Sequence, residues 1–241
     1  MTVVRADEVV RARTARPSTF ALKLTMAITG VIFVAFVFVH MIGNLKVYGG
    51  AESLDTYARW LREVGHPLVP KMGVLWALRV VLLASLVAHV VAALVLWGRG
   101  RHARGRFRRR RSTTPTAWAA RTMLLGGLVI LAFLVVHLLD LTIGQAVMPA
   151  DYRPPDPDGT IHAHHNLVAS FSRPWMAGIY VVWMFVIAVH IWHGWRTVAQ
   201  DIGATGARLR AIWAGLGALI AWAIVLGNAL IPILVLAGVI A

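Results

Sequence analysis

Four histidines, His40, His89, His137 and His190, stand one apiece in four long apolar stretches of the sequence. A neutral imidazole is a good nitrogen ligand for iron, including the axial positions of a haem. An ionisable side chain inside an apolar span is costly and is read as functional by default. Any one of these histidines alone is also explained as a polar contact between helices. Four of them, one per stretch, are hard to explain by packing.

The elements that must hold them follow from composition. Of 241 residues, 59% are hydrophobic and 14% charged, with mean hydropathy +0.70. That balance describes an all-α integral membrane protein rather than a water-soluble core. Five runs reach the roughly 20 residues needed to cross a bilayer; they are placed near 21–43, 73–97, 118–143, 174–198 and 211–238 in one domain covering 1–241, with residues 1–20 as an arm. The first run ends in His-Met-Ile-Gly-Asn-Leu rather than small residues, so it is expected to be a retained span and not a cleaved signal. With no cysteine, disulfides, thiolate-bound iron–sulfur clusters and thioether-linked haem are excluded on this chain.

The net charge of +14 is read as a topology signal and an attraction to anionic lipid, not as nucleic-acid binding, because the basic residues cluster beside the apolar runs. Arg5, Arg11, Arg13, Arg16 and Lys23 precede the first span. A dense arginine segment from Arg99 to Ser112 follows the second, and Arg196, Arg208 and Arg210 follow the fourth. The intervening loops, 44–72 and 144–173, carry Glu52, Asp55, Glu63, Asp151, Asp156 and Asp158. The positive-inside rule then puts the N-terminus in the cytoplasm and the C-terminus outside a bacterial cytoplasmic membrane. Trp97, Trp118, Trp175, Trp195 and Trp213 fall at the predicted span ends, where an aromatic belt belongs.

Position along a helix converts to depth at about 1.5 Å per residue. His40 lies 17 residues beyond Lys23 and His137 lies 16 beyond Arg121, each about 25 Å from the cytoplasmic edge. His89 lies 10 residues before Arg99 and His190 six before Arg196, about 15 and 9 Å deep. Two pairs result: His40 with His137 towards the outside, and His89 with His190 towards the inside. Each pair joins two different helices, as a haem clamped in a helix bundle requires. His193, three residues after His190, is an alternative ligand on the same helix.

Further intramembrane polar groups sit near these levels. Arg79 and Asp140 share a depth of about 30 Å, so they are expected to pair and to border the outer site. There Arg79 would hold a propionate and Asp140 would exchange protons with a quinone. Ser18, Lys23 and Arg121 are candidates for propionates or a quinone carbonyl on the inner side. Gly30 and the Gly126-Gly127 pair, three helical turns before His40 and His137, leave room for a planar macrocycle or for close helix packing. His162, His164 and His165 are read as a solvated loop rather than a metal site, because no acidic partner stands at ligand spacing. The fifth span has no histidine; Asn228 and Pro232 are expected to satisfy or kink its backbone locally.

Three segments carry a resemblance. STFALKLTMAITGVIFVAFVFVHMIGNL, from Ser18 to Leu45, resembles the first helix of the cytochrome b membrane anchor of succinate dehydrogenase and fumarate reductase, in its five-helix, di-haem b558 form. RTMLLGGLVILAFLVVHLLDL, from Arg121, is similar to that family's third-helix ligand segment, and HIWHGWRTVAQDIG, from His190, to its fourth. The resemblance implies a five-helix bundle around two stacked b haems, with His40 and His137 on the outer iron and His89 and His190 on the inner. It selects His190 over His193, since the family's ligand stands four residues before one glycine and 13 before another, as His190 does before Gly194 and Gly203. It also implies a flavoprotein and an iron–sulfur subunit as partners, and electron flow from succinate through two haem b groups to menaquinone. The acidic residue that some members carry two positions before the fourth ligand is Ala188 here. The competing readings are a free-standing di-haem carrier and a transporter with a histidine proton relay; neither the internal repeats nor the broken helices common in transporters are evident.

Overall fold

The computed structural model describes residues 17–106, 114–201, 203 and 206–241. Arg5, Arg11, Arg13 and Arg16, and Arg108 to Arg111 of the arginine segment, lie outside the described residues.

The described residues are all-helical, with five helices among them long and apolar enough to cross a membrane. These are α1 (Thr19–Asn44), α3 (Gly73–Arg104), α4 (Pro115–His137), α6 (Pro174–Asp201) and α7 (Ala207–Leu236). They form because their sequences are apolar on every face, with no charged stripe to select a solvent side. Their starts are marked by ordinary caps. Ser18 Oγ accepts from the Ala21 N–H at 3.0 Å. Thr114 Oγ1 accepts from the Ala117 N–H at 3.3 Å, with Pro115 in the first turn. α3 continues past its expected end to Arg104, since arginine is a good helix former and the helix does not stop where the apolar run does.

The two acidic segments are not plain loops. A 3₁₀ turn at Leu45–Gly49 leads into the amphipathic helix α2 (Gly50–Glu63), and α5 (Ala163–Phe171) covers the HAHH stretch. Both are too short and too polar to register as apolar runs. α4 is followed by a π-helical turn, Leu138–Ile143, which ends in Gly144 with φ +68°. Backbone in that left-handed region suits glycine, and the Tyr152 ring occupies the space a side chain there would need.

α6 packs against α7 and α4, and α1 against α3, α6 and α7. Gly227 of α7 meets Met41 of α1 so closely that a Cβ would lie 2.6 Å from its sulfur. One residue on, Asn44 Nδ2 donates to Asn228 Oδ1 at 2.9 Å. Asn228 also donates to the Ile224 carbonyl at 3.0 Å, so it ties helices together as well as satisfying backbone locally. Many of the buried residues fall into two clusters. One gathers Phe133, Phe171, Met176 and Tyr180 with Val225 and Val235 of α7; the other gathers Val34 and Met41 with Ile191, Ala221 and Ile224.

The bundle has two unlike ends. At the capped end, α2 and α5 lie over the helices and fasten to each other: the His164 N–H donates to Asp55 Oδ1 at 2.8 Å. The Asn166 amide grips Arg153, accepting from its N–H and donating to its carbonyl, each at 2.8 Å. At the basic end, exposed arginines and lysine meet helix termini. Lys23 pairs with Asp201 at 2.8 Å, and Arg99 donates to Thr19 Oγ1 and the Pro17 carbonyl at 3.0 and 2.7 Å.

Candidate metal centres

The four histidines meet in two cross-helix pairs. His40 of α1 faces His137 of α4 with ring centroids 5.9 Å apart. His89 of α3 faces His190 of α6 at 6.5 Å. Neither α1 with α4 nor α3 with α6 is among the larger helix contacts that build the bundle. The rings reach towards one another from helices whose larger contacts lie elsewhere. Two imidazoles bonded to one metal ion at about 2 Å each place their ring centres roughly 6 Å apart. Both pairs meet that distance.

Each pair has one histidine whose ring is fixed from behind. Thr29 Oγ1 donates to the Thr25 carbonyl at 2.7 Å and lies 2.9 Å from His89 Nδ1. With its proton spent on the carbonyl, the hydroxyl accepts from Nδ1–H. This assigns the tautomer with a bare Nε2, the nitrogen a metal would take. At the other pair, the Tyr180 hydroxyl donates to Asp140 Oδ2 at 3.2 Å and lies 3.4 Å from His137 Nδ1. The same reasoning leaves His137 Nε2 bare. Thr29 stands eleven residues before His40 on α1, so the two levels are separated by about 16 Å of helix.

Glycines border the pair at the basic end. A Cβ on Gly30 would lie 3.8 Å from His89 Cε1, and one on Gly127 would lie 3.5 Å from His190 Cε1. Gly126 is farther, at 4.0 Å from His190 Nδ1. Aromatic rings line the other pair: Phe36 stacks on His40 at 5.5 Å, and Phe133 lies 5.6 Å from His137. The chain matches no protein-family model and no curated protein.

The expected Arg79–Asp140 pair does not form. Asp140 is fully buried, and its Oδ1 accepts from Arg173 Nη2 at 2.6 Å. Its Oδ2 accepts from Ser170 Oγ at 2.5 Å as well as from Tyr180. Arg79 instead lies over the Trp76 ring at 4.8 Å and is exposed. Equal depth put Arg79 and Asp140 at one level but not at one azimuth; Arg173, just before α6, is carried to Asp140 by the chain's return into the bundle. Ser18 serves as a helix cap and Lys23 as an ion-pair partner, while Arg121 is exposed on α4.

On α6, His190 is the histidine whose ring faces His89; the Nδ1 atoms of His190 and His193 are both buried without a hydrogen-bond partner. The HAHH histidines differ from the expected solvated loop. His164 is buried. His162 Nε2 meets Asp156 Oδ2 at 2.9 Å, and His165 Nε2 donates to the Asp151 carbonyl at 2.9 Å. The acidic partners exist, supplied by the turn-rich stretch before them. Among the described residues no three His, Asp or Glu side chains converge as a metal site.

Thr29, Tyr180, Ser170 and Arg173 are the functional candidates that sequence reasoning passed over. Thr29 had a signal: it is a polar residue beside Gly30, in the same apolar run as His40. Tyr180 had a weaker one, standing ten residues before His190 on α6, about 15 Å towards the other level. Ser170 and Arg173 had none, because both lie outside the long apolar runs.

Proposed function

We propose that this chain is the di-haem cytochrome b anchor of a membrane succinate:quinone oxidoreductase, of the succinate dehydrogenase and fumarate reductase class. In this reading the basic end faces the cytoplasm and carries the flavoprotein and iron–sulfur subunits. The capped end is the outer one, and electrons pass from the inner to the outer level and on to menaquinone. The observation that carries the proposal is the pairing: four histidines from four helices make two facing couples at two levels.

The residues fit the group. Two imidazoles per level would hold a haem iron, and the glycines beside His89 and His190 would leave its macrocycle room. When bound, haem supplies reversible one-electron exchange at its iron. His40 and His137 would hold the outer iron, His89 and His190 the inner. Thr29 and Tyr180 hold their histidines in the tautomer that presents Nε2. Arg79, exposed at the capped end, would attract a propionate or a quinone oxygen. Asp140 has both oxygens engaged, so its part is to anchor rather than to touch quinone. Lys23, Arg121 and the neighbouring arginines give the cytoplasmic end a basic surface suited to anionic lipid and an acidic partner face.

A reduced-minus-oxidised spectrum of the purified membrane complex tests this. It should show b-type bands at two haems per chain, reducible by succinate when the soluble subunits co-purify. His137→Ala should remove one haem and His89→Ala the other. A colourless preparation with full helicity would reject the reading, and loss of the same haem from both variants would reject the pairing.

A further inference from the structure

Asp140, Arg173 and Ser170 already make a satisfied buried cluster. Arg173 is committed to it through further bonds: Nη1 donates to the Val147 carbonyl at 2.7 Å, and Nε to the Ser170 carbonyl at 3.2 Å. A carboxylate enclosed this fully needs its cation and hydrogen bonds, and Arg173 and Ser170 provide them. Tyr180 is surplus to that requirement. Its hydroxyl nevertheless spends its proton on Asp140 and turns its oxygen towards His137 Nδ1. The result is one directed chain that ends on a carboxylate: His137 Nδ1–H to the Tyr180 oxygen and the Tyr180 hydroxyl to Asp140, whose other oxygen accepts from Arg173.

The other level is built differently. Behind His89 the accepting hydroxyl is that of Thr29, and behind Thr29 stands a neutral backbone carbonyl. A hydrogen bond to the far nitrogen of a metal-bound histidine orients the ring and raises its basicity. A carboxylate behind that bond pulls harder than a carbonyl does. Phe133 and Phe171 pack on the Tyr180 ring at centroid distances of 5.3 and 4.9 Å, so its position is set by packing independently of the hydrogen bonds.

We infer that Tyr180 is a positioning residue for His137, and that through it the buried Asp140–Arg173 pair makes the outer iron site more electron-rich than the inner one. The inference rests on the haem reading above and concerns this chain's own residues around that group.

The test is Tyr180→Phe in the intact complex, read by haem stoichiometry and by potentiometric titration of each haem. The expected result is two haems per chain, with the outer haem easier to reduce by about tenfold in its equilibrium constant, a positive shift of about 59 mV for one electron. The inner haem should stay within about threefold, and Thr29→Val should move the inner haem alone. Loss of the outer haem only, from an assembled complex, would also support the role. Unchanged potentials, equal shifts of both haems, or loss of both would overturn it. If Tyr180→Phe does not accumulate, Asp140→Asn probes the same chain of contacts and is judged by the same criteria. A wild-type complex without haem would instead overturn the reading on which the inference rests.

Discussion

At the capped end, Asp140 is fully enclosed and Arg173 meets it with only 22% of its side chain exposed. At the basic end, Lys23 meets Asp201 with half of its side chain still exposed. The separations are alike, 2.6 and 2.8 Å, but the surroundings are not. A buried pair that loses one partner leaves a charge with nothing to answer it, while an exposed pair is replaced by water and counter-ions. Short distance alone is therefore no measure of what an ion pair contributes; enclosure decides it.

Single substitutions can break that contrast. Arg173→Leu or Asp140→Leu should cost about 3–5 kcal/mol in stability, whereas Lys23→Ala should cost less than about 1 kcal/mol. Thermal unfolding of the detergent-solubilised protein measures both, and equal losses would erase the difference between the ends. Gly217→Ala is next: the new Cβ would lie 2.5 Å from Trp195 Cδ1. That ring is stacked on Trp213 at 4.7 Å, and its carbonyl accepts from Trp213 Nε1 at 2.7 Å. Overpacking there should cost about 1–3 kcal/mol and show as a lowered unfolding temperature; an unchanged one would mean that the basic end gives way more easily than its stacked rings imply. Asn228→Leu removes the Asn44 contact and should cost roughly 0.6–2 kcal/mol, read in the same assay.

The smallest effect is expected in the turn before α5. The Thr160 N–H donates to Asp158 Oδ1 at 2.9 Å and holds that carboxyl below the ordinary carboxylate range. A depressed value means the contribution is present at neutral pH and is lost as pH falls through it. Amide exchange at Thr160 should therefore quicken in acid relative to its neighbours, and Asp158→Asn should remove that pH dependence.

The five long helices and the grouping of their histidines were legible because both depend on one-dimensional quantities. Apolar run length gives a span, and residue count gives a depth. The partner of Asp140 was not legible, because choosing between Arg79 and Arg173 needs the azimuth of each helix and the path of the chain between 144 and 173. α2 and α5 were missed for a related reason: a helix of nine or fourteen residues with a polar face leaves no long apolar run. Tyr180 shows the limit within a recognised span. Its ring belongs to an aromatic cluster with Phe133, Phe171 and Trp183, and nothing in the sequence separates its hydroxyl from an ordinary packing tyrosine.

The π-helical turn between His137 and Gly144 has a consequence for how this chain can change its length. A wide turn holds one residue more than an α-helical turn would over the same rise. Removing Leu138 or Leu139 would let the segment relax to ordinary helix while swinging Asp140 by roughly 100° about the axis, away from Arg173, Ser170 and Tyr180. The backbone here can absorb the loss of a residue, but the contacts of Asp140 cannot. Among variants of this chain the stretch from Leu138 to Ile143 should keep its length even where its apolar side chains are exchanged.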